Sequence, residues 1–248
     1  MLKKRLIAVL TFNNGVLFRT KNFIPDYRYT SNFVDLWSID ELILIDVSKN
    51  KNKDSFLEII KSFSNKCFVP ITAGGGIKKI GDVDLFFKNG ADKVLIGSGS
   101  IEEPNLLKNI SKKYGNQSII QSIDCKKIIH SKKDYILMKD SGQSRVLKTP
   151  KEWIKESLNN GAGEILINSI DDDGSLLGYD FDLIKNFDNF LNCPVLMLGG
   201  CGNWQHILDL FNNTDVSAAC TQNIYHFTEE SVKSAKNFLI QNNVNIRK

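Results

Sequence analysis

Apolar residues in this chain gather into eight short, nearly continuous runs: Arg5–Phe12, Glu41–Val47, Cys67–Thr72, Lys93–Gly97, Ser118–Asp124, Glu164–Asn168, Pro194–Leu198 and Val216–Cys220. Runs of this kind, rich in Ile, Val and Leu, suit strands that are buried on both faces. Between most of them the spacing changes to that of a helix. Phe56, Ile59, Ile60 and Phe63 fall at i, i+3, i+4 and i+7 behind a cap expected at Asp54. Thr149-Pro150-Lys151-Glu152 reads as a capping box with proline in the first turn, opening a helix through Leu158. The stretch from Tyr27 to Ile39 leaves room for only a short helix. Strand and helix alternate about eight times, which predicts a parallel α/β fold. That count, with a length of 248 residues, favours one closed (β/α)8 barrel, the TIM barrel, over an open sheet.

The pattern repeats within the chain. Asp40-Glu41-Leu42-Ile43-Leu44-Ile45 resembles Gly163-Glu164-Ile165-Leu166-Ile167-Asn168, and Pro70-Ile71-Thr72-Ala73-Gly74-Gly75 resembles Val195-Leu196-Met197-Leu198-Gly199-Gly200, at offsets of 123 and 125 residues. Both offsets are about half the chain, so two similar half-barrels of four βα units are expected, covering residues 1–115 and 116–248 of a single domain.

Composition narrows the partners. The net charge of +4 is spread thinly, with Lys mixed among Asn, Asp and Ser, and gives no electrostatic footprint for nucleic acid. The densest run, Lys49 to Lys53, reads as a solvated loop. The apolar stretch Leu6–Phe12 is too short for a signal peptide and no stretch is long enough to cross a membrane, so a cytoplasmic protein is expected. Five cysteines without CxxC spacing fit reduced thiols, and three histidines without an HExxH pattern argue against a zinc site. Neither a metal nor a cofactor is expected.

Candidate chemistry lies in two glycine loops. Gly74-Gly75-Gly76 follows the third expected strand and Gly199-Gly200-Cys201-Gly202 the seventh, each just before a helical segment. Glycine there lets backbone N–H groups approach an anion, and the helix N-terminus adds a favourable dipole. The neighbouring strands end in Gly97-Ser98-Gly99-Ser100 and Gln222-Asn223. In a barrel these ends converge at the C-terminal face. Two phosphate cradles on opposite sides of one mouth are therefore expected, against the plainer reading of tight turns without a ligand. Gly200-Cys201-Gly202 is not read as a nucleophile elbow, because no strand-borne His-Glu partner pattern accompanies it.

Several motifs, in order over nearly the whole chain, resemble the cyclase subunit of imidazole glycerol phosphate synthase. They are Met1-Leu2-Lys3-Lys4-Arg5-Leu6-Ile7-Ala8, Asp40-Glu41-Leu42, Gly74-Gly75-Gly76-Ile77, Gly90-Ala91-Asp92-Lys93-Val94, Gly161-Ala162-Gly163-Glu164-Ile165-Leu166, and Ser169-Ile170-Asp171 through Gly178-Tyr179-Asp180. The resemblance implies a barrel that receives ammonia from a separate glutaminase at its N-terminal face. The ammonia passes through the interior onto a bisphosphorylated ribulosyl aminoimidazole carboxamide. It also implies an entrance gate at Arg5, Glu41, Lys93 and Glu164, which the residue pattern places near the starts of alternate strands. Four charges in one buried layer are tolerable only if paired. Substrate contacts are implied at Asn168 and at the Asp173-Gly174-Ser175 turn, beside the cradle positions Gly75, Gly76, Gly97, Ser98, Gly199 and Gly200.

This chain departs from the family at the mouth. The family's acid–base pair is two aspartates at the ends of the first and fifth strands; here the fifth-strand position is Asp124 and the first-strand position is Thr11. A threonine hydroxyl is no general base near neutral pH without an activating partner. Arg19 replaces a lysine of the family's flexible loop, the segment after Asn22 is shorter, and Gln222-Asn223 replace smaller residues and could crowd the second cradle. Three functions follow. The first is a paralogue that relays glutaminase-derived ammonia to another amidation, of a nucleotide-sugar pathway intermediate, with a sugar amidotransferase as third protein and a phosphosugar or bisphosphorylated ligand. The second is an authentic histidine-pathway cyclase with altered acid–base chemistry. The third is a non-catalytic scaffold that stimulates a glutaminase.

Overall fold

A computed structural model describes residues 3–28, 38–49, 53–128, 134–187, 192–222 and 232–247. In chain order the strands are β1 (Arg5–Asn13), β2 (Val16–Lys21), β3 (Ile24–Arg28), β4 (Glu41–Asp46), β5 (Ile71–Gly74), β6 (Lys93–Ile96), β7 (Ile119–Lys127), β8 (Tyr135–Lys139), β9 (Ser144–Arg145), β10 (Glu164–Ser169), β11 (Val195–Leu198) and β12 (Ala218–Thr221). The helices are α1 (Lys53–Ser64), α2 (Ile80–Lys88), α3 (Ser98–Glu102), α4 (Leu106–Tyr114), α5 (Pro150–Asn159), α6 (Phe181–Lys185), α7 (Trp204–Asn213) and α8 (Val232–Gln241). None of them is long and apolar enough to cross a membrane.

Eight strands pair in parallel in the order β1, β4, β5, β6, β7, β10, β11, β12, and β12 returns to β1, which closes the (β/α)8 barrel. Alternation along each strand sorts the core into two layers. Leu6, Ala8, Leu10, Leu42, Leu44, Ile165 and Ile167 face outward onto the helices, whereas Ile7, Val9, Ile43, Leu95, Ile120, Leu166 and Leu196 fill the barrel. Both sets are buried, which is why the runs read as continuous rather than alternating.

Seven of the eight expected strands lie within three residues of their observed bounds. The third is displaced: the run Cys67–Thr72 was expected, and the strand is Ile71–Gly74. Phe68 is 84% exposed and Pro70 lacks a ladder donor, so residues 67–70 form the connection from α1 at the N-terminal face. The Thr149 capping box is present, Thr149 Oγ1 accepting from Glu152 N–H and Glu152 accepting from Thr149 N–H at 2.8 Å. Asp54, expected as a cap, lies inside the first turn of α1. The short helix expected between Tyr27 and Ile39 falls largely on residues 29–37, outside the described residues.

Two antiparallel additions decorate the barrel. β1 continues through a two-residue turn into β2 and then β3, and β7 continues into β8 and β9. Asn14-Gly15, with φ of 50° and 77°, makes the first turn, a pair suited to a two-residue hairpin because both residues tolerate positive φ. The hairpins extend the first and fifth barrel strands, four positions apart, and both rise over the C-terminal mouth.

Candidate active site

At the N-terminal end the four charged residues expected at the entrance meet. Arg5 Nη1 donates to Glu41 Oε1 at 2.7 Å and Nη2 to Glu164 Oε2 at 2.7 Å, while Lys93 Nζ donates to Glu164 Oε1 at 2.5 Å and to Glu41 Oε2 at 3.2 Å. Each carboxylate oxygen receives one donor, and charge alternates around a closed four-membered ring. Glu41, Lys93 and Glu164 begin the second, fourth and sixth barrel strands, alternating as expected, whereas Arg5 begins the first, which corrects the expectation for that residue. Strand stagger explains this: Ile7, not Arg5, lies opposite Glu41, and the long Arg5 side chain spans the step. Burial alone would lower the pKa of Arg5, but hydrogen bonds and charge from Glu164 and Glu41 outweigh it and raise the value. Burial would likewise raise Glu164, yet Arg5 and Lys93 hold it below its ordinary value.

Beside the ring lies a cavity of about 730 Å³, lined in part by Ile39, Asp40, Phe68, Pro70, Ile240 and Arg247. Arg247 reaches within 3.8 Å of Glu41, because the C-terminal segment is stitched to β1 through Lys4 N–H to Asn245 O and Arg247 N–H to Lys4 O.

At the opposite end the structure gathers Thr11, Asp124, Asn168, Asp173 and Gln222. Asp124 Oδ1 accepts from Ser122 Oγ at 2.9 Å and from Asn168 Nδ2 at 3.3 Å. Burial lifts its pKa to about 6 against those two hydrogen bonds, with a smaller push from Asp173. Because the folded value exceeds the unfolded one, its ionisation opposes folding once the pH rises through this range. Asp124→Asn, which can still accept from Ser122 and Asn168, is therefore expected to stabilise the protein at pH 7–8, with the gain vanishing below the ordinary carboxylate value of 3.8. Urea midpoints at the two pH values check this.

Thr11 is not placed as a base. Its hydroxyl donates to the Phe18 carbonyl at 2.6 Å and accepts from Gln222 Nε2 at 2.5 Å. Arg19 remains on its own hairpin, paired with Asp26 at 2.6 Å. Asp173 holds the hairpin tip: Phe23 N–H donates to its Oδ2 at 2.9 Å and Asn22 N–H to its carbonyl at 3.1 Å. Phe23 sits there at φ 65°, a conformation a bulky side chain rarely adopts.

The glycine loops occupy the expected strand ends, and close packing explains much of their composition. A Cβ on Gly75 would lie 2.3 Å from the Asp46 carbonyl, and one on Gly200 would lie 1.9 Å from the Gly178 carbonyl. Gly174 is pressed in the same way against the Thr20 carbonyl. Ser98, with Gly97 before it, opens α3 rather than ending a strand, and its hydroxyl accepts from Asp140 N–H at 2.9 Å. The Ser175 hydroxyl accepts from Leu177 N–H within its own turn. Asn223 lies outside the described residues.

A closed parallel barrel, with a charged ring at one end and glycine loops around a buried carboxylate at the other, defines a (β/α)8 protein with its candidate site at the C-terminal face. Residues 9–230 match the histidine biosynthesis protein family. Over its full length the chain is 33% identical to imidazole glycerol phosphate synthase subunit HisF of Flavobacterium johnsoniae and 32% identical to that of Pelodictyon phaeoclathratiforme, covering 100% of each. It is 33% identical to the same subunit of Staphylococcus carnosus, covering 99% of it. The chain belongs to the HisF-type cyclase family of imidazole glycerol phosphate synthase.

Proposed function

We propose that this chain is a cyclase-family subunit that takes ammonia from a separate glutaminase at its N-terminal face and delivers it to an amidation other than imidazole ring closure. The observation that carries the reading is the contrast between the two ends. The charged ring is complete, whereas the first-strand acid–base position is a threonine whose hydroxyl is committed as donor and as acceptor. The apolar interior between them, built from Ile7, Val9, Ile43, Leu95, Ile120 and Leu166, suits neutral ammonia and disfavours ammonium. Thr72 adds a buried hydroxyl without a hydrogen-bond partner among the described residues, and alternation turns it away from the outward-packed Ile71 and Ala73.

The cavity beside the ring, with exposed Phe68 and half-exposed Arg247, is the surface we assign to the glutaminase. The acceptor we assign is an intermediate of a nucleotide-sugar pathway, handled with a sugar amidotransferase. The hairpins on the first and fifth barrel strands and the repeat offsets support two duplicated halves, 1–115 and 116–248. Titrating the glutaminase of the same genome with this chain tests the reading. Glutamine hydrolysis should rise and saturate at one chain per glutaminase. Asp124→Asn should stimulate equally, since Asp124 lies at the far end of the barrel. Absence of a complex contradicts the proposal.

One observation favours the second reading, an authentic cyclase: the raised pKa of Asp124, about 6, suits a residue that gives and takes a proton near neutral pH. In that case the wild type cyclises its substrate and Asp124→Asn abolishes the reaction.

A further inference from the structure

Gln222 directly follows β12, the strand paired with β11 and so with the strand that leads into Gly199 and Gly200, and it is only 8% exposed. Its amide is spent within the protein. Nε2 donates to the Thr11 hydroxyl at 2.5 Å and to the Phe18 carbonyl, and Oε1 faces the Thr20 hydroxyl at 3.5 Å. Both amide protons are used, so the Gln222 side chain turns no amide hydrogen toward a ligand and instead sets its own oxygen near the Phe18 carbonyl, acceptors that repel an anion. In the adjoining loop one donor is likewise spent. Gly202 N–H donates to His206 Nδ1 at 3.1 Å, and Gly200 O accepts from Gly178 N–H at 2.8 Å as Gly178 packs over Gly200. Gln222 joins two elements that backbone pairing does not, the β2 hairpin and the end of β12.

We propose that Gln222 is a specificity-determining residue: by tying the first-strand hairpin to the eighth strand, it closes the seventh- and eighth-strand side of the mouth to a phosphate group. The mouth then discriminates against a ligand phosphorylated at both ends, by occupying one end's place rather than by tightening its grip on the other. The proposal deepens the reading of a non-cyclising mouth, but its test does not involve the glutaminase, so the two fail separately.

The test is calorimetric binding of the bisphosphorylated ribulosyl aminoimidazole carboxamide, without ammonia so that no turnover occurs, against ribulose 5-phosphate. In the wild type the bisphosphate should bind less than about tenfold more tightly than the monophosphate, because a second phosphate in a donor-lined cradle would add at least that factor. In Gln222→Ala the ratio should rise by about tenfold or more. A wild-type ratio already above that threshold, or a folded Gln222→Ala protein that keeps the wild-type ratio, overturns the assignment. The wild-type ratio decides even if the variant does not fold.

Discussion

Glu164→Ala is expected to destabilise the protein by about 3–5 kcal/mol, the usual penalty for removing one member of a buried, hydrogen-bonded ion pair. The variant leaves Arg5 with one of its two carboxylate partners and Lys93 with the weaker of its two, at 3.2 Å. Arg5, Glu41 and Lys93 are themselves at most 17% exposed, so water compensates little for what is lost. In a domain of this size the melting temperature should fall by roughly 6–20 °C. The pH dependence has a definite sign. Glu164 is held below its ordinary value of 4.5, so its contribution is complete above that pH and disappears as the folded-state value is crossed on acidification. Replacing all four ring members by apolar residues of similar volume should cost far less, because no charge is then left unpaired. A Glu164→Ala protein within about 1 kcal/mol of wild type would show that the ring is solvated rather than closed.

The barrel was legible because strands buried on both faces leave an unmistakable run of apolar residues, and seven of eight fell in place. The third slipped because Cys67, Phe68 and Val69 are apolar for another reason: they cover the N-terminal face, where Phe68 projects outward. The charges of the ring were legible at the strand starts, but their closure into a ring depends on strand stagger, which no single run encodes. The mouth was read least well. Thr11 and Gln222 both stood out in the sequence as departures at the mouth, but their mutual hydrogen bond joins residues 211 apart. The β2 hairpin had a local signal, Asn14-Gly15 between two apolar stretches, that went unused. Asp173 is expected from the sequence to contact substrate; what the structure shows is its carboxylate holding the backbone of Phe23.

Ring closure of the ribulosyl substrate with ammonium salts should be slower, on the order of 10²–10⁴-fold, than in a protein with both aspartates. Two features act together. Thr11 has no spare proton to donate, its hydroxyl lying between the Phe18 carbonyl and the Gln222 amide, and a neutral hydroxyl is a poor base. Asp124 is intact, with Ser122 and Asn168 on one oxygen, but it can serve only one side of a reaction that needs proton removal and proton donation at separate places. Its raised pKa does not supply a second acid–base group.

The decisive measurement is steady-state turnover of the bisphosphorylated ribulosyl aminoimidazole carboxamide by the purified chain with saturating ammonium chloride, beside the Flavobacterium johnsoniae subunit in the same assay. A rate at least about a hundredfold lower, with glutaminase stimulation intact, is the result expected of a barrel that conducts ammonia but does not close the ring. A rate within about tenfold of that relative, abolished by Asp124→Asn, would contradict it and establish the chain as a working cyclase.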